Sequence, residues 1–134
     1  MKKLIIATAA AAMALTGTAA TAETRLERGE ARLERMLEGR EAGEPQSCVY
    51  TFRNSDIRVM EGVGLVYDAG KTIYVARARN PESLGSWDVP VIRRFGSQLC
   101  RTDQITTIDR SSGMFSGVLF LEDFVPYTRI NQDG

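Results

Sequence analysis

The chain has 134 residues, of which 17 are basic and 17 acidic, and this length fits one domain with a modest hydrophobic core. The balanced charge gives no bulk attraction to nucleic acid or to anionic lipid. The sequence contains no histidine, which excludes Ser-His-Asp and Cys-His hydrolases and the common histidine-bearing zinc sites.

The first 22 residues have the organisation of a secretory signal peptide. Lys2 and Lys3 precede an apolar run at 4–15, and the segment ends in Ala20-Thr21-Ala22. We predict cleavage before Glu23 and a periplasmic or secreted location in a Gram-negative bacterium. A membrane anchor is disfavoured because the apolar run is shorter than the ~20 residues that span a bilayer. The predicted mature chain therefore has no integral membrane span.

The segment from Glu23 to about Glu41 is predicted to form an amphipathic helix. Its glutamates and arginines form two opposed charged stripes, and a narrow apolar seam fills the gap between them. The seam consists of Leu26, Leu33, Met36 and Leu37. Like charges at i,i+4 repel, and Gly29 costs about 1 kcal/mol relative to alanine, so such a helix must dock or fray. Three arrangements stay open: a cap on the chain's own sheet, a surface for a protein partner or self-association, and a flexible charged spacer.

Short runs of β-branched and aromatic residues follow from about Ser47, after Gly39, Gly43 and Pro45 end the helix. The strands are predicted at 48–53, 57–60, 64–67, 72–77, 89–95, 104–109 and 114–121. Aspartate and glycine in the turn at 68–71 indicate a hairpin. The pattern predicts a mainly β (α+β) fold, a small antiparallel β-sandwich or partly open barrel of about six or seven short strands behind one N-terminal helix.

Cys48 and Cys100 are the only cysteines, and in an exported protein such a pair is most simply one disulfide. Closing so long a loop removes denatured-state entropy of about 4 kcal/mol in the chain-entropy model. A redox-active pair is the alternative, but that chemistry usually needs Cys-x-x-Cys at the start of a helix.

Other catalytic and ligand motifs are weak. Glu122 and Asp123 form the densest carboxylate pair, but adjacent strand residues point to opposite faces, so the two are not expected to share a site. The glycines at 62–64 lack the rest of a phosphate-binding loop, and no calcium loop of alternating acids is found. We therefore predict no catalytic residue, metal or cofactor.

A small cationic patch is the remaining candidate binding site. Its predicted members are Arg77, Arg79, Arg93, Arg94 and Trp87. Guanidinium groups there could hold an anionic glycan, a phosphate or an acidic partner, whereas the alternative is a set of solvated arginines. Trp87 is either an exposed contact residue or the plug of a small barrel.

Several segments resemble a group of small exported proteins from sphingomonad-type alphaproteobacteria whose function is uncharacterised. The resembling segments lie at 37–49, 64–75, 98–100 and 123–129, with Asp103, Asp109 and Arg110 between them. The resemblance spans about residues 33–129 and includes both cysteines, which fits a disulfide. It implies no activity, substrate or catalytic residue.

These observations predict a signal peptide at 1–22, a charged helix and linker at 23–43, a small β domain at 44–130 and a tail at 131–134. The leading functional hypothesis is a non-catalytic accessory or binding protein of the periplasm. One concrete version is an inhibitor of a periplasmic hydrolase, which rests on size and compartment alone. The alternatives are a carboxylate-based enzyme, which needs a pocket with converging carboxylates, and a structural envelope protein, which needs neither a pocket nor an exposed apolar patch.

Overall fold

The computed structural model describes residues 24–52, 56–94 and 96–130, so the predicted signal peptide and C-terminal tail lie outside the described residues. Within these ranges one α-helix is followed by ten strands. They are α1 (Arg25–Met36), β1 (Arg40–Ala42), β2 (Cys48–Tyr50), β3 (Ile57–Met60), β4 (Gly64–Asp68), β5 (Thr72–Ala78), β6 (Asp88–Arg93), β7 (Gln98–Cys100), β8 (Gln104–Asp109), β9 (Phe115–Leu119) and β10 (Leu121–Arg129).

A five-stranded antiparallel sheet in the order β1-β10-β5-β4-β3 is the centre of the molecule. The predicted hairpin at 68–71 is confirmed: it joins β4 to β5, and Asp68 Oδ1 accepts a hydrogen bond of 2.8 Å from the Gly70 amide. The helix α1 covers one face of this sheet. Leu33 is its main anchor, and it is buried with Met60, Val63, Val66, Ile73 and Val75.

The opposite face of the central sheet packs on a second β layer. This layer contains a three-stranded sheet in the order β6-β8-β9 and a two-stranded ribbon of β2 and β7. Phe124, Leu65, Leu99 and Ile105 are fully buried between the layers. The ribbon carries the predicted disulfide, because Cys48 and Cys100 stand opposite each other in its register and are bonded.

The helix approaches the β3–β4 turn so closely that only glycine fits at the contact. A Cβ on Gly29 would come closer than 3.0 Å to the carbonyl oxygen of Glu61, and a Cβ on Gly62 would meet the carbonyl oxygen of Arg25 in the same way. Gly62 also has a φ of +73°, which side-chain-bearing residues rarely adopt. The helix-weakening Gly29 is thus required by packing.

The fold class is confirmed as mainly β with one helix and one disulfide, and the sheets are antiparallel and do not close into a barrel. The predicted extension of the helix to Glu41 is wrong. The helix ends at Met36, Gly39 turns the chain with a φ of +73°, and β1 then pairs with β10.

The strand number of six or seven was too low. Strands β1 and β7 have three residues each, too few for a hydrophobic alternation to show in the sequence. The strand predicted at 114–121 is interrupted at Phe120, where the chain leaves β8 and joins β5: the Arg79 amide donates to the Phe120 carbonyl at 2.9 Å. Among the described residues, no helix has both the length and the apolar character to cross a membrane.

Candidate functional site

Arg77 of β5 and Arg79, which follows the end of β5, lie on the face of the central sheet that carries α1. They continue the alternation of Ile73 and Val75, which are buried under the helix. Arg77 forms a two-point ion pair with Glu30 of α1, in which Nη2 donates to Oε2 at 3.2 Å and Nη1 contacts Oε1. The hydrogen bond to Glu30 raises the pKa of Arg77. Arg77 therefore holds the helix on the sheet.

A β-bulge in β10 brings two carboxylates to the same place. Leu121 stands opposite Ala78 and Phe124 opposite Ala76, so β10 uses one residue more than β5 over this stretch. The bulge breaks the alternation at Glu122 and Asp123, and both line one cleft. The expectation that they point to opposite faces is therefore wrong.

The two arginines and the two carboxylates line one surface cleft of about 380 Å³, here named the arginine cleft. It is lined by Pro45, Val75, Arg77, Arg79, Arg101, Glu122, Asp123, Val125 and Tyr127. Arg101 follows Cys100, and its amide donates to the Ser47 carbonyl at 2.9 Å. Its Nε lies 3.1 Å from Asp123 Oδ1. The disulfide-linked ribbon thus delivers a third guanidinium to this end of the central sheet.

A neighbouring cleft of about 430 Å³ shares Arg79 and Arg101 with the arginine cleft. Its other lining residues come from the β7–β8 turn, from β8 and from the end of β9; Val118 and Phe120 give it an apolar part. The two shared arginines therefore stand between two concave surfaces of different polarity.

The three guanidinium groups of the arginine cleft differ in their partners. Arg77 is paired with Glu30 and Arg101 with Asp123. Arg79 is exposed, and no carboxylate in the described part of the chain forms an ion pair with it. Arg79 thus presents a guanidinium that forms no ion pair, in a cleft whose other two arginines are paired and whose lining also includes the carboxylate of Glu122.

The predicted five-residue patch is divided between the two layers. Arg93 and Arg94 lie at the end of β6 and line neither cleft; Arg93 stands opposite Gln104, and Arg94 donates to the Thr51 hydroxyl. Trp87 precedes β6 and is 61 % exposed. The interpretation of Trp87 as a barrel plug is wrong, because the sheets do not close and the indole is outside the core.

The predicted partner-binding seam of the helix mostly faces the chain's own sheet. Leu33 is buried, and Met36 and Leu37 are half-buried and pack against the same core. Leu26, the second residue of the helix, stays 40 % exposed. Three of the four seam residues are therefore used in holding α1 on the central sheet.

A search of the described residues finds no group of three Cys, Asp or Glu side chains placed to hold a metal ion. Comparisons of the chain with protein-family models, curated proteins and solved structures find no match. The resemblance to small exported alphaproteobacterial proteins remains a prediction, and the functional argument rests on the geometry of the chain itself.

Sequence reasoning missed Arg101, Glu122, Asp123 and Tyr127 as parts of one site. The position of Arg101 could have been predicted in part, because it follows Cys100 and the predicted disulfide places it near Cys48. The pair at 122 and 123 carries none, because the bulge that joins them is fixed by the register of β10 on β5.

Proposed function

We propose that this chain is an exported, non-catalytic binding protein that holds an anionic ligand in the arginine cleft. The observation that carries the proposal is the unpaired guanidinium of Arg79 in a concave site between two arginines whose charges are neutralised. A planar guanidinium with free donors matches the geometry of carboxylate, sulfate and phosphate groups.

The remaining lining indicates what else such a ligand would carry. Tyr127, Val75 and Val125 provide an aromatic and aliphatic wall beside the arginines, and the cleft has the size of small-molecule sites, about 300–1,000 Å³. Glu122 adds a hydrogen-bond acceptor at the rim. An anionic group attached to a hydroxylated, ring-shaped body fits this set of donors, acceptors and apolar surface.

The test is a titration of the purified chain followed by amide chemical shifts. Glucuronate and glucose 6-phosphate are the anionic probes, and glucose is the neutral one. We expect the anions to shift amides near Arg79 and Glu122, and glucose to have no effect. Arg79→Gln should abolish the shifts, whereas Arg93→Gln removes an exposed arginine outside the cleft and should leave them intact. Equal binding by both variants, or by glucose, would refute an anion site at Arg79.

Export is part of the proposal and needs its own readout. Expressed from the full-length sequence in a Gram-negative host, the chain should be released with the periplasmic fraction. Its mass should be that of a chain beginning at Glu23, with Cys48 and Cys100 resistant to alkylation before reduction. A full-length cytoplasmic product would contradict export without bearing on the cleft.

A carboxylate-based enzyme is a second candidate, favoured by the bulge that puts Glu122 and Asp123 into one cleft. The ion pair of Asp123 with Arg101 occupies one of the two carboxylates, which is why binding without turnover is the leading proposal. Hydrolysis of a p-nitrophenyl glucuronide that is lost in Glu122→Gln would favour the enzyme. The structural envelope hypothesis predicted neither clefts nor exposed apolar surface, and the described residues have both.

A further inference from the structure

The three-stranded sheet turns one face away from the rest of the molecule, and this outer face is apolar. In the register of the sheet, Ile92, Ile105 and Leu119 form a cross-strand row that points into the core. Because side chains alternate along a strand, the adjacent row of Val91, Thr106 and Val118 points outward. The next outward row is Val89, Ile108 and Phe115.

Aromatic side chains extend the outer face at both ends. Trp87 precedes Val89 by two residues and is 61 % exposed, and Phe115 is 66 % exposed. Phe120, which follows the end of β9 and lines the neighbouring cleft with Val118, is 58 % exposed. These residues together with Val91 and Val118 expose roughly 500 Å² of side-chain surface, given the 150–250 Å² that an aromatic side chain can bury. Apolar patches of this size on a monomer are often functional.

Charges lie at the margins of this face. Arg93 ends β6, and Arg110 follows β8 beside Trp87, whose carbonyl accepts from its amide at 2.8 Å. The two acidic residues of β6 and β8 are bound elsewhere: Asp88 accepts from the Gly85 amide, and Asp109 accepts from the serines of the following turn. An apolar centre with a charged rim is the usual anatomy of a protein–protein interface.

Both edge strands of the three-stranded sheet have features that disfavour pairing with a further strand. The outer face has no feature that disfavours packing against another surface. Pro90 in the middle of β6 has no amide to donate, and the bulge at Ser116 interrupts the ladder of β9. Association through these strands is therefore expected to use side chains on the face, as in two packed sheets about 10 Å apart.

We propose that the outer face of the three-stranded sheet packs against the same face of a second copy of the chain. The centre of the face carries no charge that would repel its own copy or select a partner of opposite charge. Two copies would bury roughly 1,000 Å² of side-chain surface before the rim is counted, which is the lower bound of about 1,000 Å² for a biological interface and fits a reversible dimer. The result is a two-fold symmetric dimer, and none of the residues of this face lines the arginine cleft, although Val118 and Phe120 line the cleft beside it.

The single tryptophan of the chain makes this arrangement testable. Sedimentation equilibrium of the purified full chain, with Trp87 fluorescence on the same samples, should show a monomer–dimer equilibrium. As the dimer forms, the emission should shift to the blue and acrylamide quenching should fall several-fold, because face-to-face packing removes the indole from water. Dimers joined through the free edge of β9 would leave Trp87 in water, because Trp87 directly precedes β6, which is the opposite edge strand of the three-stranded sheet.

Two substitutions test whether the dimer forms through the outer face or through another surface. Val118 is 43 % exposed, so Val118→Glu should fold as a monomer, judged by an unchanged circular dichroism spectrum, while dimerisation weakens at least 100-fold. Gln98→Glu adds the same charge to an exposed position of β7 and should still dimerise. A chain that is monomeric at every concentration, or a dimer whose Trp87 remains fully quenchable, would overturn the proposal.

Discussion

Neighbouring arginines on one strand face have different roles because of the partners that the fold supplies. Arg77 lies near the end of β5 and Arg79 directly follows this strand, yet of the two only Arg77 forms an ion pair, with Glu30 on α1. Both groups of this pair are about half exposed, so its contribution to stability is limited by solvent screening. Because Arg77 and Arg101 are both paired, Arg79 is the arginine of the cleft that is available to a ligand.

The turn after β8 is organised by one carboxylate and gives a pH-dependent prediction. Asp109 Oδ1 accepts from the Ser111 hydroxyl, from the Ser112 amide at 3.0 Å and from the Ser111 amide at 2.8 Å. The side-chain hydrogen bond from Ser111, followed by the backbone bond from Ser112, lowers the pKa of Asp109 below its ordinary value of 3.8. The ionised form is therefore the one that the turn stabilises.

A carboxyl whose pKa is lower in the folded state contributes stability above its unfolded pKa, and this contribution is lost as the pH falls through the folded pKa. We expect Asp109→Asn to lower the thermal midpoint at neutral pH, with a difference from the parent chain that disappears in strong acid. Glu44→Gln is the control and should show no such trend, because Glu44 is exposed and accepts no hydrogen bond from the described residues. A midpoint difference that is constant with pH would contradict the role of the charge.

At the residue level, the sequence predicts the contacts that follow from which residues are present. It does not predict the contacts that depend on how strands and helix are aligned against each other. Two cysteines in a chain that is predicted to be exported allow one disulfide, and Cys48–Cys100 is formed. The pairing of Arg77 with Glu30 and the meeting of Glu122 with Asp123 depend on how α1 and β10 are placed against β5. No spacing along the chain encodes that placement.

The helix is held by its end as well as by its apolar anchor. Thr24 and Glu27 form a reciprocal capping box, and Glu61 in the β3–β4 turn lies 3.2 Å from Arg25 Nε and 3.6 Å from Arg28 Nη2. Gly29 lets the helix backbone descend onto this turn. The contact therefore combines charge pairing with a close approach of two backbones.

Gly29→Ala tests the close approach, because two effects of the substitution have opposite signs. Alanine improves helix propensity by about 1 kcal/mol, but its Cβ would collide with the Glu61 carbonyl oxygen. Overpacking of this kind typically costs about 1–3 kcal/mol, and the obstacle here is backbone. We expect a net loss of stability in urea unfolding. Glu34→Ala, on the exposed side of α1, should be neutral or slightly stabilising, and a stabilised Gly29→Ala chain would show that the turn moves aside freely.

Elements with strong local patterns were predictable, and elements defined by their partners were not. Strands β3, β4, β5 and β8 lie within one residue of their predicted bounds, since each alternates and ends in turn residues. The two charged residues of β1, Arg40 and Glu41, read as the end of the helix. They become a strand only because β10 offers its edge: Arg40 stands opposite Arg129, and Arg40 Nη1 donates to the Lys71 carbonyl at 2.8 Å.

The central sheet is covered on both faces, and each cover comes from a different part of the chain. The N-terminal helix closes one face, and the second β layer with its disulfide closes the other. This explains why β4 is almost entirely buried and reads as a continuous apolar run. Among the described residues, α1 and β1 are therefore packed on the same sheet as the strands that follow them.

Removing the helix should therefore destabilise the entire molecule. A chain that begins at Gly43 lacks α1 and β1 and uncovers Met60, Val63, Val66, Ile73 and Val75. Burial of each such side chain stabilises a protein by about 1.5–3 kcal/mol, and their combined loss is comparable with the total stability of a small domain. We expect the shortened chain to lose cooperative thermal unfolding, measured against the chain that begins at Glu23.

Leu33→Ala in the longer chain provides the matched intermediate case. It keeps the helix and removes only its buried anchor, so it should cost about 2–5 kcal/mol and retain a single cooperative transition. The order of stability should then be the parent chain, Leu33→Ala and the shortened chain. An unchanged midpoint for the shortened chain would place the helix outside the stable fold, and would free Leu26, Leu33, Met36 and Leu37 for the partner-binding role that their pattern also allows.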